Sequence, residues 1–145
     1  MQGGNAFIPL GRVLDSTPFE IVAVPVIGYP HTIWELTEHI RLALHDLVEY
    51  SKDSWYQSPP WPEGYWPEHR APESQQTWLA SVAEIKRLIG EMVELISDPE
   101  IDLYSPFEAY GKHHLLRQAT IVAEHNAYHN GQIVMLRKHL NAWET

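Results

Sequence analysis

The chain reads as all-α, a four-helix bundle joined by long crossover loops. Three stretches repeat apolar residues at alternating spacings of three and four, and each is bounded by a helix start or stop signal. No stretch carries a convincing two-residue alternation, and the two histidines of AEHNAYHNGQ (123–132) fall on the apolar line of the last stretch.

In chain order, a short helix is expected over about Phe7 to Leu14, with Leu10, Val13 and Leu14 inward. Pro9 and Gly11 weaken it, and the proline is tolerated only in a first turn. IVAVPVIG (21–28) is β-rich, but a lone strand has nothing to pair with, so it reads as an extended crossover. After Pro30, Thr32 and Glu35 stand three apart as a capping box, opening a helix to about Ser51. Its stripe is Leu36, Ile40, Ala43, Leu44 and Leu47, and His39 sits within it. SPPWPEGYWPEHRAP (58–72) is too long for an ordinary bundle connection, and its aromatic residues argue against disorder. Trp61 and Trp66 are expected to anchor it near the open end of the bundle, with Tyr65 as a pocket wall.

The third helix starts near Ser74, carries Trp78, Val82, Ile85, Ile89, Met92 and Ile96 on one line, and stops at Ser97-Asp98-Pro99. The last runs from about His113 to Ala142, with Leu115, Gln118, Val122, His125, His129, Gln132 and Leu136 as its seam. Neither repeats nor a linker divide the chain, so residues 1–145 are expected to form one domain.

Nineteen acidic against ten basic side chains give a formal charge of -9, which opposes phosphate backbones and anionic membranes. Neither a nucleic acid nor a membrane is expected as partner. With no cysteine there is no disulfide, thiolate metal site or thiol nucleophile. The N-terminus lacks signal-peptide features, and the longest apolar run is short and broken by Pro25, so a soluble cytoplasmic protein is expected. Consecutive apolar residues in FEIVAVPVIGYP (19–30) would form an exposed patch unless covered by the bundle or a second copy. With the short first helix, this makes a homodimer the expectation.

Nine histidines in a chain of this length give on the order of half an HxxxH pair by chance, so the pair alone is weak evidence. Its direction matters more. His125 and His129 are one turn apart, with Cβ atoms roughly 6 Å apart on one face. Their imidazoles can converge on one ion, and His39 can supply a third nitrogen from another helix. A lone inward histidine is more often a hydrogen-bonded core residue. Three would each need a buried partner, and one shared divalent metal ion satisfies all three with a coordination position left open. Asn126 stands where the general-base glutamate of an HExxH protease belongs, which excludes that class. His45, His69, His113, His114 and His139 fall on polar faces or in loops and read as solvated. His31, beside the helix start, suits capping or support of the site. Asn126, Asn130, Gln132 and Glu35 are the polar residues within reach of the three rings.

Along GGNAF (3–7), PHTIWELTEHIR (30–41), SPPWPEGYWPE (58–68) and LLRQATIVAEHNAYHNGQIVMLRKHLNAW (115–143), the chain resembles the DinB/YfiT-like superfamily of metalloenzymes. HNAYHxGQ with a basic-ended helix after it is the most specific of these. The resemblance implies a four-helix bundle, usually dimeric, binding a divalent metal such as zinc or nickel. The family's histidine triad carries onto His39, His125 and His129. Relatives include thiol-dependent S-transferases and a maleylpyruvate isomerase that uses low-molecular-weight thiols. Two departures are visible: Phe7 replaces a histidine, and EAYGKHH (108–114) replaces a glycine-rich histidine-containing turn. Relatives also carry more helix ahead of GGNAF, so the first helix is expected to be short.

The function expected is metal-dependent chemistry on a small molecule. The resemblance favours thiol-dependent S-transfer, with the thiol as cosubstrate, and hydrolysis is the second chemistry. Glu35 is the nearest general-base candidate, in competition with its capping-box role. The rival class is a non-catalytic metal-binding or stress-associated interaction protein.

Overall fold

The computed structural model describes residues 6–53, 55–109 and 111–143. It contains four α-helices: α1 (Leu10–Asp15), α2 (Ile33–Lys52), α3 (Gln75–Ser97) and α4 (Leu115–His139). Single 3-10 turns lie at Phe19–Ile21 and Glu63–Tyr65, and the described residues include no strand. Among the described residues no helix is long and apolar enough to cross a membrane.

The boundaries follow from local chemistry. Thr32 Oγ1 accepts from the Glu35 amide at 3.2 Å and Glu35 Oε2 accepts from the Thr32 amide at 2.7 Å, closing the capping box. Ser74 Oγ accepts from the Thr77 amide at 3.1 Å. His114 Nδ1 does the same for Arg117 at 3.2 Å, so His114 caps α4. At the other end Asn141 takes a φ of 54°, and the amides of Asn141 and Ala142 return to the carbonyls of Lys138 and Arg137. This is a Schellman motif with asparagine in the left-handed position. It ends α4 at His139, short of the expected Ala142.

α1 is also shorter than expected. Pro9 is its N-cap instead of a first-turn residue, which leaves Phe7 and Ile8 outside the helix and about half exposed.

α2 is the central element, packed against both α3 and α4. Ile33, Ile40, Leu44 and Val48 from α2 meet Ile85, Leu88 and Met92 from α3 and Val122, Ile133 and Leu136 from α4. Each fully buried side chain of this size removes enough apolar surface to stabilise the fold by about 1.5–3 kcal/mol. α1 packs against both α3 and α4.

The crossover 19–30 is only partly covered within one chain, contrary to full burial against its own bundle. Val22 is buried, and its carbonyl accepts from the Trp34 amide at 2.7 Å. Phe19, Ile21, Val26 and Tyr29 pack on the core from its edge, while Val24 and Ile27 face outward. Turns at Phe19–Ile21 and at 27–28 interrupt the segment.

Candidate metal centre

His39 occupies the α2 line between Leu36 and Ile40, so the packing that buries α2 also buries this ring. His125 and His129 face it from successive turns of α4. The three ring centroids are 4.5, 4.7 and 4.8 Å apart. Ligand nitrogens from the three rings all lie within 4.8 Å of one another, and the Nε2 atoms of His39 and His125 are 3.0 Å apart. Tetrahedral coordination at roughly 2.0–2.1 Å requires nitrogens about 3.3 Å apart, so small ring movements bring this pair onto one ion.

Two rings have their tautomer set by the other nitrogen. His39 Nδ1 lies 2.6 Å from the Tyr65 carbonyl, which can only accept, so this nitrogen carries the proton and Nε2 keeps its lone pair. His129 Nδ1 lies 2.6 Å from Gln132 Oε1, with the same consequence. Burial lowers all three histidine pKa values. His125 falls to about 4, through burial and then the neighbouring His129 and His39. For His39 the Tyr65 carbonyl offsets part of the burial effect, and for His129 Gln132 does so. Near neutral pH the three rings are uncharged ligands facing one point. That donor set suits a divalent transition metal.

The loop before α3 lies over this point. Trp66 stacks on His39 with centroids 4.1 Å apart and planes 5° from parallel, and it also stacks on His31 at 4.1 Å and 19°. The Tyr65 hydroxyl donates to Asp46 Oδ2 at 2.9 Å, and burial together with that carboxylate raises the phenol to about 12. His125 is only half-buried, whereas His39 and His129 are buried, and the exposed Tyr128 ring meets the edge of His129 at 4.9 Å.

The residues expected around the triad divide. Gln132 Oε1 meets His129 Nδ1, whereas Tyr65 meets His39 through its backbone carbonyl and turns its phenol to Asp46. Asn130 Nδ2 instead donates to the Ile8 carbonyl at 2.8 Å, and buried Asn126 Nδ2 has no partner among the described residues. Both asparagines follow a triad histidine by one position, a rotation of about 100°, and Asn130 thereby reaches the N-terminal segment. Glu35 is committed to the capping box and to Arg70 Nε at 3.0 Å. Burial raises its pKa, but hydrogen bonds from Thr32 and Arg70 outweigh this and hold it below the usual value. Trp66 anchors the loop, but Trp61 is 73% exposed and touches Tyr65 from outside. Of the histidines expected in solvent, His45 and His69 are exposed, while half-buried His113 lies 2.6 Å from the Tyr50 hydroxyl through Nδ1 and His114 is a helix cap.

Sequence reasoning missed Asp46 and Arg137. Asp46 lies two turns after His39 on the same face of α2, a position whose polarity could have flagged it.

A helical bundle with an inward three-histidine cluster that could hold a metal ion places the chain in the all-α class. The chain belongs to the DinB superfamily, whose family profile matches residues 10–133. Neither a curated protein nor a solved structure matches it significantly.

Proposed function

We propose that the chain binds one divalent ion, zinc or nickel, through His39, His125 and His129 and uses it to act on a small molecule. Thiol-dependent S-transfer is the favoured reaction and hydrolysis the second. The observation that carries this reading is the convergence of three uncharged imidazoles on one point, with His125 only half-buried. Bound there, the ion would supply Lewis acidity, enough to ionise a thiol or a water near neutral pH. Tyr65 and Gln132 keep the Nε2 lone pairs of His39 and His129 available, and Trp66 shields His39 from water. Since the chain has no cysteine, any thiol belongs to a low-molecular-weight cosubstrate. The outward Val24 and Ile27 support a homodimer that covers the crossover.

Commitment of Glu35 to Thr32 and Arg70 favours a second reading, a non-catalytic metal-binding or stress-associated interaction protein. Metal analysis of protein purified without a His-tag is the first test, with one ion per chain expected. Assay with a low-molecular-weight thiol and an electrophilic acceptor should then give turnover that a chelator abolishes. Metal bound without thiol transfer or hydrolysis would favour the second reading, and protein that binds neither zinc nor nickel would remove both.

A further inference from the structure

Tyr65 touches α2 twice. Its carbonyl accepts the Nδ1 proton of His39 at 2.6 Å, and its hydroxyl donates to Asp46 Oδ2 at 2.9 Å. One loop residue thereby bridges the candidate ligand and a carboxylate two turns further along the same helix face. Trp66, the next residue, stacks on His39, so a displacement of Tyr65 disturbs two contacts to one imidazole.

Asp46 is poorly explained as a core residue. It is buried to 9% exposure, and Oδ1 has no hydrogen-bond partner among the described residues. Burying a carboxylate with one oxygen unmet is costly, and packing alone would favour an apolar side chain there. The hydrogen bond it does make goes to the residue that orients His39.

We propose that Asp46 positions His39 for metal binding by holding the Tyr65 hydroxyl, an inference that rests on the three-histidine metal reading. With that bond intact, the Tyr65 carbonyl stays against Nδ1 and the His39 proton stays on the nitrogen that faces away from the other two rings. Without it, the carbonyl drifts and the ring samples the tautomer protonated on Nε2, which offers the ion no lone pair. Asp46 touches neither the ion nor the reacting atoms. It is a positioning residue acting through Tyr65.

Zinc affinity by competition with a chromophoric chelator, alongside the visible spectrum of the cobalt-substituted protein, tests this. Tyr65→Phe removes the hydroxyl and keeps the carbonyl; it should weaken zinc binding on the order of tenfold, with one ion still bound per chain. Asp46→Ala should weaken it by a similar factor, and the double variant should be no weaker than either single, since both break one bond. Asp46→Asn retains an oxygen acceptor and should restore most of the affinity. A purely structural role would lower the melting temperature of the metal-free protein and leave zinc affinity and the cobalt spectrum unmoved. Should Asp46→Ala fail to fold, Tyr65→Phe alone decides. Wild-type zinc affinity in Tyr65→Phe overturns the proposal and leaves the three-histidine site standing. Absence of zinc, cobalt and nickel binding in the wild type overturns the metal reading and this inference with it.

Discussion

Arg137 and His129 lie two turns apart on α4, both buried and both rich in nitrogen, yet their surroundings differ in kind. The Arg137 guanidinium makes five hydrogen bonds to neutral oxygens: the carbonyls of Val13 and Ser16, Ser16 Oγ, and the Ala142 carbonyl twice. It also stacks over Trp143 at 4.9 Å. Those bonds tie the end of α1 to the end of α4 and use the whole donor fork. At the triad, by contrast, the His39 and His125 Nε2 atoms point at each other, and at most one proton can be shared between them. A buried polar group satisfied by its own fold serves the fold. The triad nitrogens instead face one another, an arrangement that could hold a metal ion.

Substitutions should separate the two regions cleanly. The largest effect is expected from a His125→Ala, His129→Ala double variant, whose metal content should fall to background while circular dichroism of the metal-free protein stays helical. Unchanged metal stoichiometry would dismantle the contrast. Arg137→Met should do the reverse. It leaves three carbonyls short of donors and should destabilise the protein by about 2–4 kcal/mol in denaturant unfolding, with metal stoichiometry of the folded protein unaltered. A loss below about 0.5 kcal/mol, the range of ordinary surface changes, would show that the clamp is not structural.

Removing the support of a single ring is a smaller perturbation. Gln132→Ala frees His129 Nδ1, and zinc affinity measured by competition should drop on the order of tenfold without loss of stoichiometry. Equal affinity in variant and wild type would mean that the His129 tautomer needs no such partner.

Acid should also distinguish the regions. The triad histidines have folded-state pKa values below the ordinary 6.5, that of His125 at about 4, because burial disfavours their charged forms. Between those values the unfolded chain binds more protons, so metal-free stability is full above 6.5, declines as pH falls toward 4, and has no further His125 contribution to lose below that. Denaturant midpoints across this range should flatten in the double-histidine variant and keep their slope in Arg137→Met. Smallest of all, His45→Ala should change neither metal content nor stability, since its ring is exposed on α2.

Much of the fold was legible because its signals are local. Thr32 with Glu35, Ser74 before Gln75, and Asp98-Pro99 mark helix ends through contacts within a few residues, and the structure places α2 and α3 within a residue or two of the expected limits. The α4 seam put His125 and His129 inward by periodicity alone. Less was legible where the decisive contact is distant. Pro9 as a cap in place of a first-turn residue, and the half-buried crossover, depend on how the N-terminal segment meets α3 and α4.

The sequence by itself determined the helices, their apolar faces, and which three histidines stand on those faces, because spacing along a helix converts directly into direction around it. Only the tertiary structure decided which atoms hold those rings. Tyr65 reaches His39 through a backbone carbonyl, which every residue type carries and no pattern of side chains reveals. Asn130, polar and next to His129 in sequence, turns to the Ile8 carbonyl instead because one step along a helix is a large rotation about it. Trp66 rather than Trp61 covers the site, a choice between two similar residues that shows only in the stack of Trp66 on His39 and the exposure of Trp61.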